Sequence, residues 1–137
     1  MTTEIDTEDR AADADDDLHT LARHIIRTAR PGGDRAAAQA LVDEQTILAL
    51  PHVRRNLIVH NRHREATCHW EGLSGLQYTL GLDERQRAFL GLVLSMVGIG
   101  HITIAAAQSL DERRLGIITR AILQLAGNDT LAVGTRL

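Results

Sequence analysis

The amino-acid sequence predicts an all-α protein, and three observations support this fold class. Aromatic residues make up only 2% of the chain, so its core must be built from Leu, Ile, Val and Ala, which pack well between helices. Apolar residues recur at helical spacings of three and four in several stretches. Residues 82–85 and 110–113 both have the sequence Leu-Asp-Glu-Arg, which places an Asp where it can cap a helix. We therefore predict a single domain of five or six helices over residues 18–137.

Residues 1–17 differ from the rest of the chain in charge. They carry eight acidic residues and one Arg, a net charge of −7, whereas residues 18–137 carry a net charge of +4. A segment with so few apolar residues cannot offset the entropy that it would lose on folding. We predict a disordered acidic tail, and we hypothesise that it competes with an anionic ligand for the basic remainder of the chain.

The first two helices are predicted from their apolar faces and from the turn between them. Residues 18–29 have apolar side chains at helical spacing, with Asp17 in position to cap the helix. The turn at residues 31–33, Pro-Gly-Gly, ends this helix. Asp34 is then predicted to cap a second helix that extends to about Ala49.

Two secondary structures fit Pro51 to Trp70. A helix could begin at Pro51 and continue to about His63, which we favour. Alternatively, residues 57–59 and 66–68 could pair as a hairpin, because both contain β-branched residues and a polar loop separates them. Under either alternative, this stretch is the most basic window of the chain, with Arg54, Arg55, Arg62 and Arg64 accompanied by His52, His60 and His63.

The remainder of the chain is predicted to be mainly helical. A short helix is expected from Glu71 to Leu80, and three clearer helices follow it in residues 82–126. The apolar periodicity ends at the Gly-Asn pair at residues 127–128, which favours a helix end there. Residues 130–137 are predicted to form a tail or a short edge strand.

Residues 82–126 have the layout of a helix-turn-helix with a supporting helix in front. Leu-Asp-Glu-Arg-Gln-Arg at residues 82–87, followed by Ala-Phe-Leu-Gly-Leu, resembles the opening of the fourth region of bacterial sigma factors. Downstream, Gly98-Ile99-Gly100, then Ile104-Ala105, then Leu110-Asp111-Glu112 and Leu115 resemble that region's turn, bracing helix and recognition helix. The resemblance covers about a third of the chain. It implies a DNA-reading last helix, whose basic residues are Arg113, Arg114 and Arg120.

The sequence thus predicts a small bacterial DNA-binding regulator of transcription. We expect a homodimer, because operators and the proteins that bind them share two-fold symmetry. We expect it in the cytoplasm, because no apolar run approaches the roughly 18 to 20 residues of a membrane span and the N-terminus does not resemble a signal peptide. No cofactor is expected. The predicted DNA-contacting residues are Arg54, Arg55, Arg62, Arg64, Arg113, Arg114 and Arg120.

The main alternative is a non-catalytic helical module for protein interaction or dimerisation. Apolar side chains cover nearly the whole circumference of the last helix, residues 112–126, so it must be buried on most sides. Gly116 and Ile117 stand where a recognition helix would have polar side chains, and the acidic start at Asp111 would repel phosphates. Under this alternative the last helix is the surface that contacts a protein partner.

A third, less favoured alternative is a metal-binding protein or an enzyme. His60, His63, Cys68 and His69 lie within ten residues, and zinc accepts imidazole and thiolate ligands. Their spacing matches no established zinc motif, and Cys68 lacks a specified catalytic base. The chain has one Cys, which cannot form an internal disulfide and agrees with a reducing compartment.

Overall fold

The computed structural model describes residues 17–136. Within them the protein is predominantly helical, as the sequence predicts, with one small β-hairpin. The predicted disordered tail lies outside the described residues except for Asp17. The elements are α1 (residues 17–28), α2 (Gly33–Glu44), α3 (Pro51–Leu57), β1 (Ile58–His60), β2 (Ala66–Cys68), a 3₁₀ helix at Trp70–Leu73, α4 (Glu84–Met96), a 3₁₀ helix at Ile104–Ser109 and α5 (Glu112–Leu125).

The predicted cap residues of the first two helices have other roles. Asp17 is already helical. At the start of α2 the cap position is Gly32, and the Asp34 carboxylate instead accepts hydrogen bonds from the Arg30 N–H (2.8 Å) and the Trp70 indole N–H (2.6 Å). Asp34 therefore joins the turn after α1 to the 3₁₀ helix at Trp70–Leu73.

Helix α2 ends at Glu44, five residues before the predicted end at Ala49. Gln45 turns the chain with a φ of 74°, and the buried Glu44 carboxylate accepts the Ile47 N–H at 2.8 Å. That N–H would otherwise have bonded within a continuing helix. The buried carboxylate therefore replaces the helical hydrogen bond and stabilises the turn.

The stretch from Pro51 to Trp70 contains both of the alternatives in part. Helix α3 begins at Pro51 but ends at Leu57, so the predicted extension to His63 is wrong. The hairpin is confirmed: β1 and β2 are antiparallel, with Ile58 opposite Cys68 and His60 opposite Ala66. The β-branched residues after Leu57 favour a strand, and β2 supplies the partner that makes the strand stable.

The C-terminal elements agree with the predictions at α4 and differ in detail elsewhere. The Asp83 carboxylate accepts the Gln86 N–H while the Gln86 side chain accepts the Asp83 N–H, so the predicted cap of α4 is confirmed as a capping box. Asp111 lies at the N-cap of α5, but its carboxylate accepts a hydrogen bond from Arg114 instead of capping. The helix predicted from Glu71 to Leu80 is reduced to the 3₁₀ helix at Trp70–Leu73. The middle helix is the 3₁₀ helix at Ile104–Ser109, and the remaining residues to 136 form no strand.

Helix α2 is the central element of the packing. Its side chains Ala36, Ala37, Ala38 and Ala40 are at most 1% exposed, and α4 and α5 both pack on it. Small side chains let helix backbones approach closely. Buried residues from all five helices join one apolar core. Among the helices formed by residues 17–136, none has both the length and the apolar character that crossing a membrane requires.

Candidate anion-binding face

The basic window of the sequence folds into α3 and the hairpin. We call the following set the basic face: His52, Arg54, Arg55, His60, Arg62, His63 and Arg64. All of these residues are exposed except Arg54, which is half-buried. No acidic residue occurs between residues 52 and 64. The fold therefore concentrates positive charge on one short helix and the hairpin that follows it.

Internal hydrogen bonds fix Arg54 in place. Its Nη1 donates to the carbonyl oxygens of Leu48 (3.1 Å) and Ala49 (2.6 Å), in the turn that leads from α2 to α3. A guanidinium has five donors, so these two bonds leave others for a ligand. Arg55, the next residue on α3, is exposed.

The hairpin turn presents the remaining arginines. The Asn61 side chain accepts hydrogen bonds from the N–H groups of His63 (2.9 Å) and Glu65 (3.0 Å), which holds the turn in one shape. Arg64 adopts a φ of 59°, a left-handed conformation that costs a side-chain-bearing residue energy. Arg62 and Arg64 are exposed at this turn, so both guanidinium groups can contact a ligand outside the protein.

The acidic residue closest in sequence to this turn, Glu65, is neutralised by α1. Its carboxylate pairs with the Arg27 guanidinium. The hydrogen bond from Arg27 is the largest cause that lowers the pKa of Glu65, and burial opposes it. Glu65 is thus held ionised with its charge compensated, and it does not offset the charge of Arg62 and Arg64.

An open cleft of about 800 Å³ separates α1 from the basic face. Arg54, Arg55 and Arg64 line it on one side, and His24 of α1 lines it on the other. The His24 Nδ1 accepts the Ala66 N–H at 3.3 Å, so its other ring nitrogen carries the proton and can donate. The cleft is therefore rich in hydrogen-bond donors.

Two of the three predicted basic residues of α5 form contacts inside the protein. The Arg113 guanidinium donates to the carbonyl oxygens of Asp43 (3.2 Å) and Glu44 (2.7 Å), at the C-terminal end of α2. Arg114 pairs with the carboxylates of Glu44 (3.2 Å) and Asp111 (3.0 Å). These contacts anchor α5 to α2, and a phosphate would have to compete with them. Arg120 is exposed.

Glu44 is the member of this network whose role the sequence analysis missed. It is fully buried and bonds to Thr46, Ile47 and Arg114. A sequence signal for it exists: Glu44 lies on the apolar side of the second helix, four residues from Leu48 and three from Leu41. A charged residue at such a position requires a buried partner.

The His and Cys residues do not form a reactive site in the structure. Burial is the main cause that raises the pKa of the Cys68 thiol to about 12, and the charge of Asp34 adds to it. The thiol is therefore protonated at neutral pH, whereas the thiolate is the form that acts as a nucleophile. Across residues 17–136, no three His, Cys, Asp or Glu side chains are arranged to hold a metal ion. His60, His63 and His69 are exposed.

Comparisons of the chain with protein-family models, with curated proteins and with solved structures find no match. The resemblance of residues 82–126 to the fourth region of sigma factors therefore stays a prediction.

Proposed function

We propose that the protein binds double-stranded DNA through the basic face and acts as a small DNA-binding regulator. The observation that carries the proposal is the exposure of Arg55, Arg62 and Arg64 in a stretch of 13 residues, 52–64, that contains no acidic residue. Arginine forks match the geometry of phosphate oxygens, and a two-stranded β-ribbon fits the major groove. The hairpin tip would supply the contacts to the DNA backbone.

The aromatic residues favour a duplex over a single strand as the ligand. Single strands are usually bound by stacking bases on exposed aromatic rings. Phe89 and Trp70 are buried, and the Arg87 guanidinium covers the Tyr78 ring at 4.7 Å from its centroid. Tyr78 is nevertheless 81% exposed. It is the one exposed Phe, Tyr or Trp ring among the described residues and is not part of the basic face, whereas phosphate contacts by arginine need no aromatic ring.

The proposal is tested by fluorescence anisotropy with a labelled duplex of mixed sequence, titrated at several salt concentrations. Arg62→Gln and Arg64→Gly each remove one charge. Each variant should weaken binding at all sequences and reduce the salt slope by about one. Arg64 has a left-handed backbone conformation that glycine adopts without strain. Arg64→Gly should therefore not destabilise the fold, and loss of binding by this variant cannot be attributed to unfolding.

Arg85→Gln is the matched control, because Arg85 is exposed on α4 and lies outside the basic face. It should bind DNA like the unmodified protein. No binding at low salt, or equal losses in all three variants, would reject the basic face as the site. Arg120→Gln tests the contribution of α5: if α5 is a recognition helix, this variant changes sequence preference or affinity as well.

A second candidate function, protein interaction through α5, is favoured by a separate observation. Leu115, Ile122 and Leu125 are 43%, 42% and 41% exposed, although they are large and apolar. They are spaced by seven and three residues and so lie along one side of the helix. We propose this stripe as a contact between two copies of the chain. Sedimentation should show a dimer that Leu115→Ser combined with Ile122→Ser dissociates; a monomer at all concentrations would exclude it.

A further inference from the structure

We propose that the cleft between α1 and the basic face binds an amphipathic anion, a carboxylate or phosphate group attached to a short hydrocarbon chain. The cleft volume of about 800 Å³ lies within the range of small-molecule sites, about 300–1,000 Å³. This site does not depend on DNA binding, because its ligand and its test involve no nucleic acid.

The anionic end of the ligand follows from the polar groups that line the cleft. Arg54, Arg55 and Arg64 carry positive charge there, and His24 also lines the cleft with a ring that has a second nitrogen besides the one bonded to Ala66. The carboxylate of Asp17 is the only acidic group among the lining residues, at one end of the cleft. Positive groups outnumber it, so the cleft favours a negatively charged head.

The hydrocarbon end follows from the remaining wall. Leu18 and Leu21 of α1 face the cleft, and Ile58 of β1 lines it from the hairpin side; all three are half-buried. The hydrocarbon of a bound ligand would cover these three side chains and remove further apolar area from water. No Phe, Tyr or Trp lines the cleft, so it lacks the large rings on which nucleotide bases usually stack. A flexible alkyl chain fits this composition better than a nucleotide.

The test is a calorimetric titration of the full chain with three probes kept below their micelle concentrations. Octanoate has both the charge and the chain, acetate has only the charge, and 1-octanol has only the chain. Octanoate should bind with saturation at one molecule per protein. Its affinity should be at least tenfold higher than that of acetate or of 1-octanol. Fatty acids with a shorter hydrocarbon chain than octanoate should bind more weakly, by up to about fourfold for each methylene group removed. Octyl phosphate, titrated in the same way, identifies the preferred headgroup.

Two variants and one control locate the ligand. Arg55→Gln removes an exposed charge from the rim and should weaken octanoate binding by about fivefold or more. Leu21→Asp places a carboxylate in the apolar wall and should abolish binding; if this variant does not fold, Arg55→Gln alone decides. Arg85→Gln also removes one positive charge, but at an exposed residue outside the cleft, and this variant should bind octanoate like the unmodified protein.

Chemical-shift mapping of the backbone amides gives an independent measurement. Octanoate should shift the amides of Leu21, Ile58 and Ala66, since the Ala66 N–H is bonded to His24 inside the cleft wall. Three results would overturn the proposal: octanoate binding no tighter than acetate, unsaturable uptake, or shifts that cluster on the exposed apolar residues of α5. None of these results bears on DNA binding, which is measured separately.

Discussion

Glu44 shows how a single charged residue organises this fold. Among the described residues it is the only charged one with a fully buried side chain. Its carboxylate ends α2 by accepting the Ile47 N–H and attaches α5 by pairing with Arg114. A buried charge is tolerated only when its partners compensate for the water it has lost. Removal of Glu44 would therefore leave Arg114 with only one of its two carboxylate partners, Asp111, and the turn after α2 without its acceptor.

We expect Glu44→Ala to lower the free energy of unfolding by about 3 kcal/mol, because it breaks a buried ion pair and several hydrogen bonds together. Urea unfolding followed by circular dichroism measures the change. Asp43→Ala is the control, since Asp43 is the neighbouring acid but is exposed, and it should cost less than about 0.5 kcal/mol. Equal losses in the two variants would contradict the structural role of Glu44.

The ion pair between Asp111 and Arg114 predicts a dependence of stability on pH. Burial disfavours the ionised Asp111, but the hydrogen bond and charge of Arg114 outweigh it and lower the pKa of Asp111 below its ordinary value of 3.8. A carboxyl whose pKa is lower in the folded state stabilises the protein above its unfolded pKa, and this contribution is lost as the pH falls through the folded pKa. The contribution should therefore be fully present at neutral pH, begin to fall below about pH 4 and be lost once the pH is below the lowered pKa of the folded state.

Asp111→Asn tests this dependence. Urea midpoints measured from pH 7 down to pH 2 should fall on the acidic side in the unmodified protein, and the fall should be shallower in the variant. At neutral pH the variant should be less stable than the unmodified protein, because Arg114 keeps its ion pair with Glu44 but loses the one with Asp111. Parallel pH profiles would show that the pair contributes no pH-dependent stability.

At the scale of the elements, local signals in the sequence predict helices well where the ends are set locally. The start of α4 is an example: Asp83 and Gln86 are three residues apart and satisfy each other's backbone N–H groups. The predictions of the ends of α2 and α3 are wrong because contacts with elements outside each helix decide where it ends. Arg114 stabilises the Glu44 carboxylate from α5, and β2 pairs with the residues that would have extended α3.

The same distinction applies to the candidate site. The four arginines of residues 54–64 were identifiable from composition alone, because a basic window without acids needs no knowledge of the fold. The orientation of Arg113 could not be identified from the sequence, because it depends on carbonyl groups at the end of α2 that are 69 and 70 residues away along the chain. The cleft was equally inaccessible, because it forms only when α1 and the hairpin approach each other.

The close approach of α2 to α4 predicts a difference between two glycines. A Cβ atom added to Gly33 would lie 2.3 Å from the backbone oxygen of Met96, whereas one added to Gly91 would lie 2.4 Å from the side-chain end of Ile102. A backbone atom can move only if the helices separate, whereas the Ile102 side chain can rotate.

Gly33→Ala should therefore reduce stability by about 1 to 3 kcal/mol through overpacking. Gly91→Ala should cost less, since the helical preference of Ala over Gly returns roughly 0.5 to 1 kcal/mol inside α4. Thermal unfolding of both variants under the same buffer conditions measures the difference. If Gly33→Ala cost no more than Gly91→Ala, the packing of Gly33 against Met96 would be less tight than the structure shows.

At the scale of the whole molecule, the distribution of charge matters more than its sum. The chain has a net charge of −3, but this charge is unevenly distributed: residues 1–16 hold seven acids and one Arg, a net charge of −6, whereas the rest of the chain is net positive. Asp17, which follows this segment, lines the cleft beside the basic face. A negatively charged segment that is covalently attached near a cationic surface competes with an anionic ligand for that surface.

We expect removal of residues 1–16 to raise the affinity for duplex DNA by about threefold or more at low salt, because a net negative charge that repels the DNA phosphates is removed from the chain. The gain should shrink as salt is added, since the screening length falls to about 8 Å at 0.15 M ionic strength. A full-length variant with the seven carboxylates changed to amides is the matched control, and it should reproduce the gain. If truncation raised affinity but neutralisation did not, the segment would act by occupying space and not by its charge. If neither change altered affinity while the unmodified protein still bound DNA, the acidic segment would have no part in binding.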